Sequence, residues 1–365
     1  MKAECLIENV EKICALIGKI LPVNPTLPIL SHIKITADAN NLCFSATDLG
    51  LGVLAKIPAK IEQEGETTVP GKQFLEVIGS FPKDKLTLSL EKDNLLLQVR
   101  EHKVLFQTLV AEEFPSLFSE KGEKLLSLSE EELRDAFLRS VFCVSFDEAR
   151  PVLSGILLFQ KEKDFHVVST DGYRMSFKKI KGVLLGKGVK KMIVSARLIN
   201  EALFLKRKID VFLYAQGNQL IFDAGDVVLV GRLIEGEYPD YERVVPQGHK
   251  TRITLNREEF LRILKLSSVF ARESAYVVRF SVKNDVLTVS TRSSGLGEGE
   301  FKQEVEQEGE GGEIVFNIKF VMDFLRNVSS ETVSMEMGSS FEPGVFKLPD
   351  DPSFLHVIMP VRVQE

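Results

Sequence analysis

The sequence predicts an α+β protein made of three tandem copies of one domain. Three kinds of marker recur in the same order with a period near 120 residues. The markers are a threonine at the end of a strand (Thr47, Thr170, Thr291), a valine that opens a helix (Val69, Val194, Val315) and a proline after an aromatic or apolar residue (Pro115, Pro239, Pro360). Their spacings are 123 and 121, 125 and 121, and 124 and 121 residues, so independent features keep one period.

Each copy begins with an amphipathic helix. In the second copy Ser129 and Glu132 have the spacing of a capping box, and in the third copy Asn256 is placed to cap the helix. The predicted apolar faces are Val10, Ile13, Cys14 and Ile17 in the first copy and Phe260, Ile263, Leu264 and Ser267 in the third.

Alternating strands such as SHIKITAD and GILLFQ follow, then the second helix, then further strands such as KLTLSLEKDNLLLQV. Each copy should therefore pack two helices against one side of antiparallel sheets. The predicted domains are residues 1–120, 125–247 and 250–365. The acidic run Glu298–Glu313 is predicted to be a solvated loop and hairpin end.

The stretch VVSTDGYRMSF, residues 167–177, resembles a site because a polar turn there carries a tyrosine and an arginine. The repeat indicates instead that its Ser-Thr frame is a structural turn made in every copy. The second copy alone adds Gly172-Tyr173-Arg174-Met175, and Asp171 is expected to belong to the turn.

Composition is that of a soluble globular protein, with 44% hydrophobic residues, a net charge of −6 and a pI near 5.7. An acidic average argues against nucleic-acid binding unless the charge is segregated. The four cysteines form no CxxC pair, which favours a reducing compartment. Since no apolar stretch is long enough to span a bilayer, we expect a cytoplasmic protein with no membrane partner.

The sequence contains no recognisable catalytic constellation. Its five histidines lack metal-ligand spacing, and GVLLGKGVKK has the wrong spacing for a phosphate loop. We therefore expect no metal, no cofactor and no enzymatic activity.

Basic residues lie along the predicted helices although the chain is acidic. One interpretation is an ordinary solvated helix face; the other is a layer that faces phosphates and binds DNA independently of sequence. The candidate DNA-facing residues are Lys12, Lys72, Arg134, Arg139, Arg197, Lys206, Arg207, Lys208, Arg262 and Lys265.

Six segments together resemble the bacterial sliding clamp family, the beta subunit of DNA polymerase III holoenzyme. They are NPTLPILSHIKI (24–35), ATDLGLGV (46–53), RPVLSGILL (150–158), STDGYRM (169–175), EGEYPDYERVVP (235–246) and HVIMPVRV (356–363), and they span all three copies in the family's order.

The resemblance implies a head-to-tail homodimer whose six domains close into a ring, with helices lining the hole. It implies a processivity factor without catalysis that encircles duplex DNA and tethers its partners through short clamp-binding motifs. The implied partners are the DNA polymerase III catalytic subunit, the clamp loader, other polymerases and repair proteins.

The resemblance also implies a hydrophobic pocket for the partner motif, which has a glutamine and a hydrophobic tail. Arg174 and Tyr173 would hydrogen-bond peptide carbonyls at its rim, and a strand near Pro343 and Gly344 should contribute. Carried over position by position, the pocket comprises Leu153, Thr170, Gly172, Tyr173, Arg174, Met175, Pro239, Arg243, Val244, Val357, Met359, Pro360, Val361, Arg362 and Val363.

Some family members place basic or aromatic DNA contacts at positions that are Asn24, Pro151 and Val152 here, so we expect the DNA contacts on the helices instead. For ring closure we expect the strands in EHKVLFQTLV and SAYVVRFSV to pair between protomers. The expected apolar plug consists of Leu105 and Phe106 against Val269 and Phe270.

Two alternatives remain at this point. A monomeric peptide-binding scaffold would use the same apolar pocket without encircling DNA. An enzyme would act through Asp171 and Arg174, although no substrate suggests itself.

Overall fold

The structure is a computed structural model that describes residues 1–118, 120–147, 149–181, 191–214, 218–293 and 295–362. The predicted pocket residue Val363 lies outside the described residues. Within the described part, three successive groups of elements each contain two α-helices and antiparallel strands, so the predicted α+β class and threefold repeat are confirmed.

The first repeat contains β1 (Lys2–Leu6), α1 (Ile7–Ile20), β2 (His32–Asp38), β3 (Asn41–Thr47), β4 (Leu51–Pro58), β5 (Lys60–Gln63), β6 (Gly65–Pro70), α2 (Gly71–Ser80), β7 (Lys85–Glu91), β8 (Asn94–Val99) and β9 (His102–Gln107).

The second repeat contains β10 (Glu123–Leu128), α3 (Glu130–Phe137), β11 (Gly155–Lys161), β12 (Asp164–Thr170), β13 (Arg174–Lys181), β14 (Lys191–Ser195), α4 (Ala196–Leu205), β15 (Ile209–Tyr214), β16 (Gln219–Asp223) and β17 (Val227–Arg232).

The third repeat contains β18 (Thr251–Asn256), α5 (Arg257–Ala271), β19 (Val277–Lys283), β20 (Val286–Ser293), β21 (Gly297–Glu304), β22 (Glu306–Gly309), β23 (Gly312–Asn317), α6 (Ile318–Arg326), β24 (Thr332–Met337), β25 (Gly344–Leu348) and β26 (Asp351–Ile358).

Two compact units cut across these repeats. One unit consists of Met1–Glu130 with Arg197–Leu233, and the other of Glu131–Ala196 with Ile234–Glu365. The second repeat is therefore divided between the units, because each unit is organised around sheets that run across a repeat boundary.

The first unit contains a five-stranded sheet, in the order β5-β1-β7-β8-β9, and an eight-stranded sheet, in the order β10-β15-β16-β17-β4-β3-β2-β6. In the eight-stranded sheet β17 pairs with β4 from Val227↔Ala55 to Gly231↔Leu51, which joins the second repeat to the first. Helix α1 buries Val10, Ile13 and Ile17 as predicted, whereas Cys14, also predicted on this face, is only half-buried.

The second unit contains a nine-stranded sheet, in the order β14-β11-β12-β13-β26-β25-β24-β18-β22, and a four-stranded sheet, in the order β21-β20-β19-β23. Strands β13 and β26 pair antiparallel, which joins the second repeat to the third. The predicted apolar face of α5 is buried, and the side chain of Asn256 accepts a hydrogen bond from the Glu259 backbone N–H at 3.0 Å, as expected for a cap.

The threonine turn is made in only two of the three repeats. Thr170 Oγ1 donates to the Arg174 carbonyl at 2.6 Å and accepts from Gly172 N–H at 3.0 Å, and Thr47 does the same with Leu51 and Leu49. The third repeat corrects the prediction. There β20 continues two residues past Thr291, and the Ser293 hydroxyl accepts from the backbone instead.

The acidic run Glu298–Glu313 was predicted as a loop and is mostly strand. It forms part of β21, then β22, then the start of β23. Short apolar side chains such as Val305 (8% exposed) anchor it, while the glutamates on these strands point to solvent, so a sheet with one solvated face accommodates the charge.

Candidate functional site

The predicted pocket residues other than Val363, which is not described, belong to the second compact unit. Arg243, Val244 and Met359 line one groove there, whereas Val361 and Arg362 line a separate cavity. Strand β13 supplies Arg174 and Met175, and its pairing with β26 sets them opposite Ile358 and Val357. The turn before β13 brings Thr170–Tyr173 to the same edge, and the backbone N–H of Met359 donates to the Tyr173 carbonyl at 2.9 Å.

A groove of about 560 Å³ opens beside Met359. Its walls come from the segment after Tyr238, from the turn before β25, and from the C-terminal segment. The lining residues are Arg243, Val244, Pro246, Gln247, Gly248, Glu342, Pro343 and Met359. The stretch around Pro343 therefore lies at this groove, and β25 pairs with β26 directly beneath it.

The predicted apolar residues divide into a floor and an open surface. Met175 and Val357 are 2% and 0% exposed and belong to a core cluster, so they support the groove from below. Val244 and Met359, which line the groove, are 36% and 38% exposed and form an apolar surface that a ligand can reach. Tyr173 does not line the groove, but it is 60% exposed and its backbone bonds to Met359.

Arg174 is fixed inside the protein rather than free at the rim, which corrects the predicted role of this side chain. Its Nε lies 3.0 Å from Asp171 Oδ2, its Nη1 lies 2.8 Å from Asp323 Oδ2, and its Nη2 donates to the Phe142 carbonyl at 3.0 Å. The Phe320 ring stacks below the guanidinium at 4.6 Å. The guanidinium is thus already satisfied.

Asp171 belongs to the turn, as expected. Its Oδ1 accepts from the backbone N–H groups of Tyr173 and Arg174 at 2.9 and 3.0 Å. Because both Asp171 and Arg174 are occupied by structural contacts, the alternative of an enzyme that acts through this pair gains no support.

Two side chains of α6 complete this region and were not anticipated. Phe320 stacks on Tyr173 with ring centroids 6.5 Å apart, and Asp323 forms the ion pair with Arg174. The helical pattern identified Phe320 only as an apolar position, and no local signal relates α6 to a turn in the preceding repeat.

A buried cysteine and histidine lie behind the groove but cannot act as a nucleophile and base. Ser176 Oγ is 3.2 Å from Cys143 Sγ and 2.9 Å from His356 Nδ1. Burial raises the pKa of the Cys143 thiol to about 12 and lowers the pKa of His356 to about 3. Both groups are therefore neutral, and water has no access to them.

The candidate DNA-facing residues are mostly exposed, with one exception. Arg139 forms ion pairs with Asp351 and Asp135 and is only 19% exposed, so the structure removes it from the predicted DNA-facing set. Arg197 and Arg207 are exposed but pair with Asp48 and Asp226. The exposed remainder is Lys12, Lys72, Arg134, Lys206, Lys208, Arg262 and Lys265.

The predicted apolar plug for ring closure also needs correction. Phe106 is 9% exposed and packs against Phe74 of α2, so it belongs to the core of the first repeat. Leu105 and Val269 are 57% and 52% exposed, and Phe270 is half-buried. Since side chains alternate along a strand, Leu105 points away from the α2 side of the sheet, whereas Val269 and Phe270 lie on a helix.

The expected partner strand SAYVVRFSV is not an edge. It contains β19, which pairs with β20 on one side and β23 on the other. The five-stranded sheet ends in β5 and β9, and the four-stranded sheet ends in β21 and β23. Among the described residues, β9 pairs with β8 alone and β21 pairs with β20 alone. These two edges are available for pairing with another chain.

Within the described residues, no group of histidine, cysteine and acidic side chains has the arrangement of a metal site. No helix in this part of the chain is both long and apolar enough to span a membrane.

Models of one protein family match nearly the whole chain. They describe the N-terminal, central and C-terminal domains of the DNA polymerase III beta subunit, and they match residues 1–118, 127–240 and 242–362. The beta sliding clamp of Chlamydia muridarum is 28% identical over 352 residues, which cover 96% of this chain and 95% of that protein. The beta sliding clamp of Synechocystis sp. is 27% identical with full coverage of both chains.

Solved structures of similar proteins share the fold over the full length. The DNA polymerase III beta subunit of Thermotoga maritima has a TM-score of 0.90 at 25% identity, with both chains fully covered. A sliding clamp of Pseudomonas aeruginosa bound to griselimycin has a TM-score of 0.93 at 23% identity, again with full coverage.

Three tandem domains of one α+β fold, joined by sheets that continue from one domain to the next, define a DNA clamp. The chain belongs to the DNA polymerase III beta subunit family, the bacterial sliding clamps. Its function is that of a sliding clamp in DNA replication.

Proposed function

We propose that two copies of this chain close head to tail into a ring around duplex DNA. In this proposal the copies bind each other by pairing strands at the edges of their sheets. The first joint is formed by β4, which ends the run β2-β3-β4, and by β17, which ends the run β15-β16-β17. The second joint is formed in the same way by β13, after β11-β12, and by β26, after β24-β25.

Each of the two smaller sheets contains a three-strand run of the same kind whose last strand is not joined to another run. Strand β21 ends the run β19-β20-β21, and β9 ends the run β7-β8-β9. Pairing β21 of one copy with β9 of the other would form a third joint of the same kind. Two such joints close a symmetric dimer and leave neither edge exposed.

The charges on these edges are complementary. Strand β21 carries Glu298, Glu300 and Glu304 with a single lysine, Lys302, whereas the charged side chain of β9 is Lys103. Opposite charges across an antiparallel pair favour this pairing and disfavour the pairing of β21 with another β21.

We propose that the exposed lysines and arginines of the helices face the DNA, with the sheets on the outside of the ring. Phosphate contacts of this kind are independent of sequence and weaken with salt. They can be few, because a closed ring stays on DNA by topology. This arrangement also explains how a chain with a net charge of −6 can bind a polyanion.

We propose that the groove beside Met359 holds the clamp-binding motif of partner proteins. The supporting observations are its volume, the exposed apolar side chains of Val244 and Met359 in its lining, and the exposed Tyr173 bonded to Met359. The proposed partners are the DNA polymerase III catalytic subunit, the clamp loader, other polymerases and repair proteins. The protein itself would act without catalysis and without a cofactor, in the cytoplasm.

Retention on circular DNA tests the ring. We expect light scattering to give the mass of a dimer, and the protein to stay on nicked circular DNA but to leave the same DNA after linearisation. Equal retention on both forms would contradict encirclement. A monomer that binds the motif peptide but no DNA would support the alternative, a peptide-binding scaffold.

A further inference from the structure

A second cavity lies on the solvent face of the four-stranded sheet and has no assigned role. Its volume is about 950 Å³, larger than that of the groove beside Met359. Helix α5 covers the opposite face of this sheet, where Val278, Phe280 and Val282 are buried. We call this cavity the outer dish and define it by Arg279, Arg292, Arg362, Val361, Glu298 and Glu300.

The C-terminal segment connects the groove to the outer dish. Met359 N–H donates to the Tyr173 carbonyl at 2.9 Å, and two residues later Val361 N–H donates to the Val315 carbonyl on β23 at 2.8 Å. Met359 lines the groove and Val361 lines the dish. A peptide seated in the groove and extended along this segment therefore reaches the dish.

The side of the dish next to this segment is basic. Arg292 and Arg362 are exposed and form no ion pair with any described residue, whereas Arg279 is held by Glu313 at 2.9 Å. Arg362 and Arg292, the latter beside its cross-strand neighbour Glu298, therefore present guanidinium groups that can bind carboxylates in a bidentate manner.

The acidic residues of the dish lie on β21, the strand next to Arg292 of β20. Glu298 is opposite Arg292 in the β20–β21 pairing, and Glu300 contacts Lys302 at 2.9 Å. In the proposed ring this strand pairs with β9, whose Lys103 provides a compensating charge. Ring closure would therefore leave the arginine side as the charged surface open to a ligand.

We propose that the outer dish is the second half of the partner site and binds an acidic segment that flanks the clamp-binding motif. This inference rests on the proposed role of the groove and deepens it. Partners with aspartates or glutamates next to the motif would bind more tightly than partners with the motif alone, because Arg292 and Arg362 pair with those carboxylates.

Fluorescence anisotropy with the full-length dimer tests the proposal. The probes are a labelled peptide with a glutamine and a hydrophobic leucine-phenylalanine tail, and two versions that carry three aspartates before or after it. Exposed ion pairs are individually weak, so we expect one acidic version to bind about three- to tenfold more tightly at low salt. The gain should disappear at high salt, where such pairs are screened.

Variants of the protein test whether the higher affinity of the acidic peptide comes from the outer dish. Arg292→Glu should abolish the advantage of the acidic peptide and leave the affinity for the plain peptide unchanged. Lys283→Glu makes the same charge change at the far end of β19, outside the dish, and should preserve the advantage.

The outcomes separate the two proposals. If the plain peptide binds and neither acidic version gains affinity, the dish has no role in partner binding. The same conclusion holds if the gain survives Arg292→Glu. If the plain peptide itself fails to bind, the groove is not the partner site, and the inference about the dish falls with it.

Discussion

Burial prevents the imidazole of His356 from binding a proton near neutral pH, as an imidazole in water does. The ring is fully buried, stacks on Phe324 at 5.2 Å and hydrogen-bonds through Nδ1 to Ser176. Burial lowers the pKa of His356 to about 3, with a further contribution from the positive charge of Arg174. The histidine is therefore a neutral part of the joint between β13 and β26.

This shift predicts the acid sensitivity of the protein. The pKa of His356 in the folded state is far below its value near 6.5 in the unfolded state, so the unfolded state binds a proton first as the pH falls. The free energy of unfolding that is linked to neutral His356 is fully present above about pH 6.5. As the pH falls toward 3 it is lost, at up to about 1.4 kcal/mol per pH unit.

The free energy of unfolding should fall between pH 7 and pH 5 in the wild type. We expect this fall to be smaller by about 2 kcal/mol in His356→Phe. Urea denaturation at the two pH values measures this difference. An identical pH dependence in His356→Phe and wild type would show that His356 does not couple folding to protonation.

At the scale of elements, an ion network reinforces the joint between β13 and β26. Lys178, on β13, is 4% exposed and lies 2.8 Å from Asp135 of α3 and 2.7 Å from Asp351 of β26. Arg139 also contacts Asp351. Burial alone would raise the pKa of Asp351, but hydrogen bonds from Lys178 and Ser353 and the nearby cations outweigh burial and lower it.

Removing Lys178 leaves Asp135 and Asp351 to share the charge of Arg139, so their negative charge is only partly compensated. We expect Lys178→Met to lower the free energy of unfolding by about 3 kcal/mol, measured by urea denaturation at pH 7. The matched control is Lys161→Met, because Lys161 pairs with Glu242 at the surface of the same sheet and should change stability little. Similar losses in both variants would mean that the buried network adds nothing specific.

At the scale of the whole molecule, the proposed assembly of two copies depends on the edges β9 and β21. Closed antiparallel joints already occur twice within the chain, so the same geometry offers a third between chains. The acidic run was predicted from the sequence to be a solvated loop and hairpin end. In the proposed joint, part of it would form the charged edge β21.

Charge reversal tests the joint. We expect the double substitution Glu298→Lys and Glu300→Lys to produce a monomer in light scattering, because lysines on β21 would repel Lys103 on β9. Adding Lys103→Glu to the same chain should restore the dimer. A dimer that persists in the double variant, or that the third change does not restore, would contradict pairing of these two edges.

Much of the fold could be predicted from the sequence because the repeat shows in local patterns of apolar and polar residues. The period of the helix faces and strand ends placed two helices in each copy, and the buried residues of α1 and α5 match the predicted faces. Of the predicted pocket residues, Arg243, Val244 and Met359 line the groove, whereas Val361 and Arg362 line the outer dish. Their identities came from resemblance to a family, since spacing alone could not distinguish Val357 in the floor from Met359 at the surface.

The sequence alone determined the repeat, the α+β class and the family, because periodicity and motifs are properties of neighbouring residues. Only the tertiary structure decided which side chains are free to act. Arg174 and Arg139 look like surface arginines in the sequence, yet Asp323 and Asp351, from distant parts of the chain, satisfy them. Likewise, β19 and β21 are both plausible edge strands until sheet order shows that only β21 is unpaired on one side. Charge satisfaction and sheet edges depend on contacts between distant residues, and a linear pattern does not contain them.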